Sequence, residues 1–69
     1  MVNHPFAFPN GKNGGTNKHG QRMIAGDRVR NPFNGKTGVA DEFLQDGDTY
    51  ITNDDGTFDT VKWYHLEPI

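Results

Sequence analysis

The chain has 69 residues, of which 32% are hydrophobic and none is cysteine, and its formal net charge is −2. This length supports at most one small domain, which buries only about 60% of the surface of its unfolded chain. The lack of cysteine excludes disulfide bridges and cysteine zinc sites, so association with another copy is one remaining source of stability.

Composition also bears on the cellular location of the protein. A small secreted domain usually carries cystines, so this cysteine-free chain is predicted to be cytoplasmic. The first residues show no basic start followed by an apolar run, which predicts no signal peptide. No segment approaches the roughly 18 apolar residues of a membrane helix, so no membrane contact is expected.

Charge is distributed unevenly along the chain. Residues 1–25 contain three cations and no acid, whereas residues 26–69 contain four cations and nine acids. An acidic body does not suit broad contact with a nucleic-acid backbone, where neutralisation of phosphates supplies most of the affinity. The basic start is compatible with a short contact to an anionic partner.

Residues 1–23 are predicted to form a flexible, disordered N-terminal arm. Most of this segment is crowded with Gly, Asn and Pro and shows neither helical nor strand periodicity. Such a composition buries too little apolar surface to offset the entropy of ordering. Within it, HPFAFP (residues 4–9) places two phenylalanines between two prolines. These rings are either solvated or part of an extended segment that docks into a groove of this or another chain.

Short strands and tight turns begin at Ile24, which predicts one domain over residues 24–69. Asn34-Gly35 is a strong turn signal, and Pro68 confines the last strand to an edge. The fold class is all-β, and five short strands in this length predict a small, strongly bent barrel. Strands are predicted at about 28–31, 39–45, 49–53 and 57–62, with a tight turn at 63–65 before the last strand.

Alternation along these strands predicts which side chains face the core. The choice between the neighbours Tyr50 and Ile51 stays open, because only one of them can face inward. The predicted inward set is Val29, Val39, Phe43, Tyr50 or Ile51, Phe58, Val61 and Leu66.

Two stretches resemble small β-barrels of known families. AGDRVRNPFNGKTGVADEF (residues 25–43) resembles the opening of SH3-like barrels of the KOW kind, in which a Gly-Asp-x-Val strand leads through a glycine-containing turn into Gly-x-Val. YITNDDGTFDTVKWYHLEP (residues 50–68) resembles the later strands of Tudor-like barrels, which end in a tight helical turn and Leu-x-Pro. The resemblance implies a small five-stranded SH3-like barrel, a fold that hosts many unrelated functions.

The chain also resembles the plasmid-encoded type II dihydrofolate reductases, which share this fold class. That family enters its barrel through Gly-Asp-Arg-Val-Arg, present here at residues 26–30, and carries Val-Gln-Ile-Tyr where this chain has VKWY at residues 61–64. Four barrels of the family surround one pore, in which substrate and NADPH meet. Lys62 and Trp63 replace the glutamine and isoleucine that line that pore, so a homotetrameric reductase is only an alternative and no cofactor is expected.

Aromatic residues supply the main candidate site. Successive residues of a strand cannot all face inward, so at least one of Trp63 and Tyr64 is expected to be exposed. Exposed rings anchor protein partners, and beside an acid they can also form a cage for a methylated cation, as in Tudor-like barrels. The alternative is that Trp63 caps an open end of the barrel and Tyr64 packs in the turn. The predicted partner-binding residues are Phe33, Tyr50, Trp63 and Tyr64. A cage would combine Phe33, Tyr50 and Trp63 with Asp54 or Asp55 as its acid.

A second candidate surface is basic. Arg28, Arg30 and Lys36 lie near the first predicted turn, on the side that KOW-like modules use on RNA. An RNA or ribonucleoprotein contact is therefore the alternative binding function. Acidic residues close by in sequence favour instead a strand face of mixed charge.

The sequence predicts neither a catalytic site nor a metal site. It contains no serine or cysteine nucleophile, and its histidines are scattered. A calcium loop that starts at Asp46 would have Tyr50 and Ile51 where an oxygen ligand and a glycine are needed. The first expectation is therefore a non-enzymatic binding or adaptor module that recognises a protein partner through an aromatic surface.

Overall fold

The computed structural model describes residues 10–69, and it confirms an all-β fold. A 3-10 helix at Trp63–His65, called the helical turn below, lies where the sequence predicts a tight turn. No helix within residues 10–69 is long and apolar enough to cross a membrane. The strands of this part of the chain are β1 (Gly14–Thr16), β2 (Arg22–Ile24), β3 (Arg28–Arg30), β4 (Thr37–Phe43), β5 (Asp48–Asn53), β6 (Phe58–Lys62) and β7 (Glu67–Pro68).

Five strands form one antiparallel sheet in the order β6-β5-β4-β3-β7, and β1 pairs with β2 in a separate hairpin. Within the described residues β6 and β7 do not pair with each other, so they are the two edges of an open sheet. The small, strongly bent barrel expected from the sequence is therefore not a closed one. β7 has only two residues and pairs with β3, which leaves too little backbone to close the sheet on β6.

The β1–β2 hairpin corrects the predicted arm boundary. Residues 14–16 and 22–24 pair in antiparallel register, and Met23 is fully buried. The sequence assigns all but one of these residues to a flexible arm, because their composition carries no apolar pattern. They are ordered through contacts with the rest of the chain. The earlier part of the predicted arm, including HPFAFP at residues 4–9, lies outside the described residues.

Buried Asn17 supplies one of these contacts, from the turn between β1 and β2. Its Oδ1 accepts hydrogen bonds from the backbone N–H groups of His19 and Gln21, at 3.0 and 2.9 Å. Its Nδ2 donates to the backbone carbonyl of Leu66 at 2.9 Å. The amide therefore shapes the turn and ties the hairpin to the end of the chain.

A bulge in β4 decides which of its side chains reach the core. Ala40 and Glu42 pair with consecutive residues of β5, and Asp41 between them has no partner. The extra residue shifts the alternation by one position, so both Ala40 and Phe43 face inward. Val39, which simple alternation from Phe43 predicts in the core, is only half-buried.

β6 also differs from the expected inward set. Val61 is buried, whereas Phe58 is 77% exposed. Side chains alternate between faces with a period of two, so residues three positions apart face opposite sides. Burial of Val61 therefore excludes burial of Phe58, and the half-buried Asp59 takes the inward-facing position.

The core lies between the sheet and the hairpin. Ile51 rather than Tyr50 faces inward, and Met23 joins the core from β2. The buried hydrophobic residues are Met23, Val29, Ala40, Phe43, Ile51, Val61 and Leu66, with Trp63 packed against them.

Candidate functional site

The helical turn gives its neighbouring residues Trp63 and Tyr64 opposite environments. Trp63 packs against the core, and its ring centroid lies 6.4 Å from that of Phe43. Tyr64 is 56% exposed. The exposed ring at this turn is therefore that of Tyr64, and Trp63 supports it from the core side.

A glycine of β1 permits this arrangement. A Cβ atom added to Gly15 would lie 2.6 Å from the Cγ and Cδ2 atoms of the Trp63 indole, closer than two unbonded carbons can approach. The backbone of the hairpin also binds the helical turn, since the N–H of Lys18 donates to the carbonyl of Tyr64 at 2.9 Å. The hairpin thus keeps Trp63 on the core and Tyr64 outside.

Three rings pack together on the surface, and we call Phe33, Tyr64 and His65 the ring cluster. The Phe33 ring meets the His65 imidazole edge to face at a centroid distance of 5.1 Å. Tyr64 meets the same imidazole at 5.3 Å. Phe33 is 71% exposed. His65 was not among the predicted site residues, and its only sequence signal is its position directly after Trp63-Tyr64.

One carboxylate holds the loop that carries Phe33. Oδ2 of Asp59 accepts hydrogen bonds from the side-chain amides of Asn31, Asn34 and Asn53, at 3.1, 3.0 and 2.9 Å. These bonds, with that from Asn34 as the largest cause, hold the pKa of the Asp59 carboxyl below its usual value. The inward-facing Asp59 of β6 therefore anchors the loop between β3 and β4.

The same loop is shaped by its own asparagines. Oδ1 of Asn31 accepts the backbone N–H of Phe33 at 2.9 Å, and Oδ1 of Asn34 accepts that of Lys36 at 3.0 Å. Gly35 between them has a φ of 76°, a conformation that favours glycine. The position of Phe33 is thus fixed on both sides by side-chain to backbone hydrogen bonds.

Tyr50 lies on the outer face of the sheet, separate from the ring cluster. It pairs across the strands with Glu42 on β4 and Thr60 on β6, and it is 46% exposed. Phe58 shares this face, because its cross-strand partner Thr52 is two residues from Tyr50. We call Tyr50 and Phe58 the outer-face pair. The predicted aromatic surface is therefore divided, and the cage that would combine Phe33, Tyr50 and Trp63 is not assembled.

Each cation of the predicted basic surface pairs with a carboxylate of this chain. Two of these carboxylates, Asp54 and Asp55, are the acids that the sequence offered for an aromatic cage. The pairs are exposed, so salt screens them. They are Arg28–Asp54, Arg30–Glu67 and Lys36–Asp55, with nitrogen–oxygen distances of 2.7, 3.2 and 3.0 Å.

The Arg28–Asp54 pair is bidentate, with its second hydrogen bond at 2.8 Å. This hydrogen bonding raises the pKa of Arg28 and, with a further bond from Thr37, holds the pKa of Asp54 far below its usual range. Hydrogen bonds from Thr57 lower the pKa of Asp55 to about 2. Both carboxylates therefore stay ionised and bound within the chain at neutral pH.

The ion pairs leave an excess of acids in the folded body. Lys62, the fourth cation of residues 26–69, pairs with Asp48 at 2.8 Å. This range contains nine acids, and four of them pair with these four cations. Nine minus four leaves five acids that form no ion pair with these cations. These five are Asp27, Asp41, Glu42, Asp46 and Asp59. Two of them, Asp41 and Glu42, lie at the β4 bulge beside the outer-face pair.

Comparison with known proteins yields no relative for this arrangement. The chain matches no protein-family model, no curated protein and no solved structure. Within residues 10–69 no group of three or more His, Cys, Asp or Glu side chains is placed to hold a metal ion. The function must therefore be argued from the exposed rings and charges themselves.

Proposed function

We propose that the protein is a non-enzymatic binding module that recognises a protein partner through the ring cluster of Phe33, Tyr64 and His65. The supporting observation is that two rings, each more than half exposed, pack on the same imidazole. Single exposed apolar side chains are common on soluble proteins, whereas a contiguous exposed apolar patch marks an interaction site. Aromatic side chains are also the residues that most often anchor protein interfaces.

The ring cluster is held in place before any partner arrives. Gly15 and Trp63 fix the helical turn below Tyr64, and Asp59 fixes the loop that carries Phe33. An anchor that is already ordered loses little conformational entropy when it binds. This preorganisation supports a role in recognition rather than in packing alone.

For the family, we propose an SH3-like body of the KOW or Tudor kind. Its support is the motif resemblance together with a small all-β domain of two sheets and a helical turn before the last strand. We also propose a cytoplasmic location and self-association of the protein. They rest on the absence of cysteine and on the small size of the domain.

The other two functions have less support. RNA binding would need Arg28, Arg30 and Lys36, each of which already pairs with a carboxylate. A reductase pore would need an exposed residue at the position of Trp63, whose ring instead packs against Phe43. A protein partner therefore remains the first proposal.

Site-specific photo-crosslinking tests the proposal. The photoreactive residue p-benzoylphenylalanine replaces Phe33 in the full chain, which is then irradiated in an extract of the source cells. The same replacement of the exposed Gln45, in the turn between β4 and β5, is the matched control. We expect a discrete adduct with one protein from position 33 and none from position 45.

A second variant separates specific capture from simple proximity. Tyr64→Ala removes one ring of the cluster while leaving Trp63 in the core, and it should abolish the adduct formed at position 33. Adducts of equal yield with and without the Tyr64 ring, or the same adducts from positions 33 and 45, would contradict the proposal.

A further inference from the structure

β6 is an edge strand, and two hydrogen bonds fix the phase of its pairing with β5. The N–H of Asn53 donates to the carbonyl of Thr57 at 2.8 Å, and the N–H of Trp63 donates to that of Gly47 at 3.0 Å. In an antiparallel ladder, residues bonded to the partner alternate with residues whose N–H and C=O point away from it. Every second residue from Thr57 to Trp63 therefore faces β5.

The free side of β6 consequently carries the backbone groups of Phe58, Thr60 and Lys62. No strand within residues 10–69 pairs with this side. The opposite edge, β7, differs. The N–H of Ile69 donates to the carbonyl of Arg28 on β3, so the backbone nitrogen of the preceding residue, Pro68, faces away from β3. Proline has no N–H, so this edge offers no donor there. Of the two edges of the described sheet, β6 is therefore the one suited to accept a further strand.

One cross-strand row of the outer face has its smallest side chain on β6, and we call this row the trough. Thr60, Tyr50 and Glu42 lie in one cross-strand row over β6, β5 and β4. Adjacent strands are about 4.8 Å apart, so this row extends about 10 Å inward from β6. Thr60 is small, and the larger Phe58 and Lys62 flank it on the same face. A long side chain that enters from the free edge can lie over Thr60 and against the Tyr50 ring, directed toward Glu42.

The charges around the trough suit a cationic side chain. Glu42 forms no ion pair with any described residue, and Asp41 lies on the same face, where it accepts a hydrogen bond from Thr52 at 2.6 Å. Lys62 is paired with Asp48 and so does not repel an incoming cation strongly. An aromatic face beside a carboxylate attracts Lys or Arg, whereas an acidic side chain would meet like charge.

We propose that the free edge of β6 binds an extended cationic segment of a protein partner as an added strand. One Arg or Lys side chain of that segment lies over Thr60 against the Tyr50 ring. The backbone hydrogen bonds of Phe58, Thr60 and Lys62 supply affinity, and the trough supplies the preference for a cation. This edge is a second binding surface, which does not include any member of the ring cluster.

An NMR titration of the isotope-labelled full chain tests this proposal. The probe is a synthetic seven-residue peptide of alternating Thr and Val with Arg at its centre, and the matched peptide has Glu there. The amide signals of Phe58, Thr60 and Lys62 should shift, and their exchange with solvent should slow. The amides of Asp59 and Val61 face β5 and should keep their exchange rates. We expect the Arg peptide to bind about tenfold more tightly than the Glu peptide.

Variants of the edge and the trough make the test specific. Thr60→Pro removes an outward N–H but no hydrogen bond to β5, so peptide binding should be lost while the fold remains. If Thr60→Pro does not fold, Thr60→Lys fills the trough with a like charge and should weaken the Arg peptide at least about tenfold. Glu42→Gln should weaken binding of the Arg peptide several-fold and strengthen binding of the Glu peptide, because the variant removes the negative charge that attracts one and repels the other. Tyr64→Ala, a ring-cluster control, should leave peptide affinity unchanged.

Four outcomes would overturn the proposal. Equal affinity for the Arg and Glu peptides would contradict the preference for a cation. Peptide-induced signal shifts that lie outside β6 and the trough would contradict the proposed location of the site. Shifts of β6 that grow with protein concentration, without peptide, identify a second copy of the chain as the occupant. Peptide binding that requires deletion of residues 1–9 identifies the start of this chain as the occupant.

Discussion

The ring cluster and the outer-face pair differ in what supports them. Phe33, Tyr64 and His65 stand on a loop and a helical turn, and their positions depend on distant contacts such as those of Gly15 and Asp59. Tyr50 and Phe58 stand on two paired strands, and their positions depend on the ladders that join β5 to β4 and to β6. Rings of both surfaces are exposed, but the two surfaces respond to different changes. The ring cluster is sensitive to changes in the core, and the outer-face pair is sensitive to changes at the sheet edge.

Removal of the Trp63 side chain should damage the ring cluster most. Trp63→Ala creates a cavity below the helical turn and should lower the free energy of unfolding by about 3 kcal/mol, the low end for a large aromatic because this ring is only half-buried. Tyr64→Ala is the matched control next to it and should change that free energy by no more than about 0.5 kcal/mol. Urea denaturation followed by circular dichroism measures both, and equal losses would contradict the opposite environments of the two rings.

A methyl group on Gly15 should have the next largest effect. Gly15→Ala pushes on the Trp63 indole, and overpacking of this kind costs about 1–3 kcal/mol. Trp63 is the only tryptophan of the chain, so its fluorescence reports directly on the displacement. Lys18→Ala, at an exposed position of the same hairpin, should leave both stability and emission unchanged. An unaltered emission spectrum in Gly15→Ala would show that β1 does not cover the indole.

Acid should loosen the ring cluster before it affects the outer-face pair. Hydrogen bonds, led by that from Asn34, lower the pKa of Asp59 in the folded state below the unfolded value of about 3.9. Stabilisation from Asp59 is therefore fully present above that value and is lost as pH falls through the lower folded pKa. NMR signals of the Phe33 ring should broaden or shift during this fall while those of Tyr50 persist.

Asp59→Asn is the control for this pH dependence. The variant has no carboxyl to titrate at this position. Its free energy of unfolding should therefore fall less steeply than that of the wild type as the pH drops below about 4. Residual acid sensitivity is expected from Asp54 and Asp55, whose pKa values are also lowered. Identical pH profiles for the two proteins would mean that Asp59 does not hold the loop.

The strands of the main sheet could be predicted from sequence because turn residues and period-two patterns are local signals. The inward set was partly wrong for reasons that are not local. The β4 bulge changes the phase between Ala40 and Phe43, and no residue type marks it in the sequence. Phe58 is more apolar than Asp59, yet the burial of Val61 decides the phase of β6.

The order of residues 14–24 had no local signal either. It depends on the approach of Gly15 to Trp63 and on the hydrogen bond from Asn17 to Leu66, which joins residues 49 positions apart. Glycine and asparagine are typical of flexible segments, so composition indicated the opposite state. Only the tertiary partners show why these two residue types suit a covering hairpin.

The sequence indicated most of the exposed rings of the candidate site, but it did not indicate which of them lie together. Phe33 and Tyr64 were both identified from sequence, but the imidazole of His65 that joins them was not. Tyr50 was placed with them, although burial of Ile51 turns it to the other face of its strand. The ion pairs of the basic residues are formed between distant strands and turns, so sequence neighbours did not reveal them.

Pro68 limits the stoichiometry of any assembly built by strand addition. A sheet with two receptive edges can continue from molecule to molecule and grow into a fibre. Here β7 presents a proline without a donor, so of the two edges of the five-stranded sheet that the structure describes, only β6 is left to pair. The sheet can therefore accept one added strand. Whether it takes up a partner segment or a second copy, growth stops after a single addition.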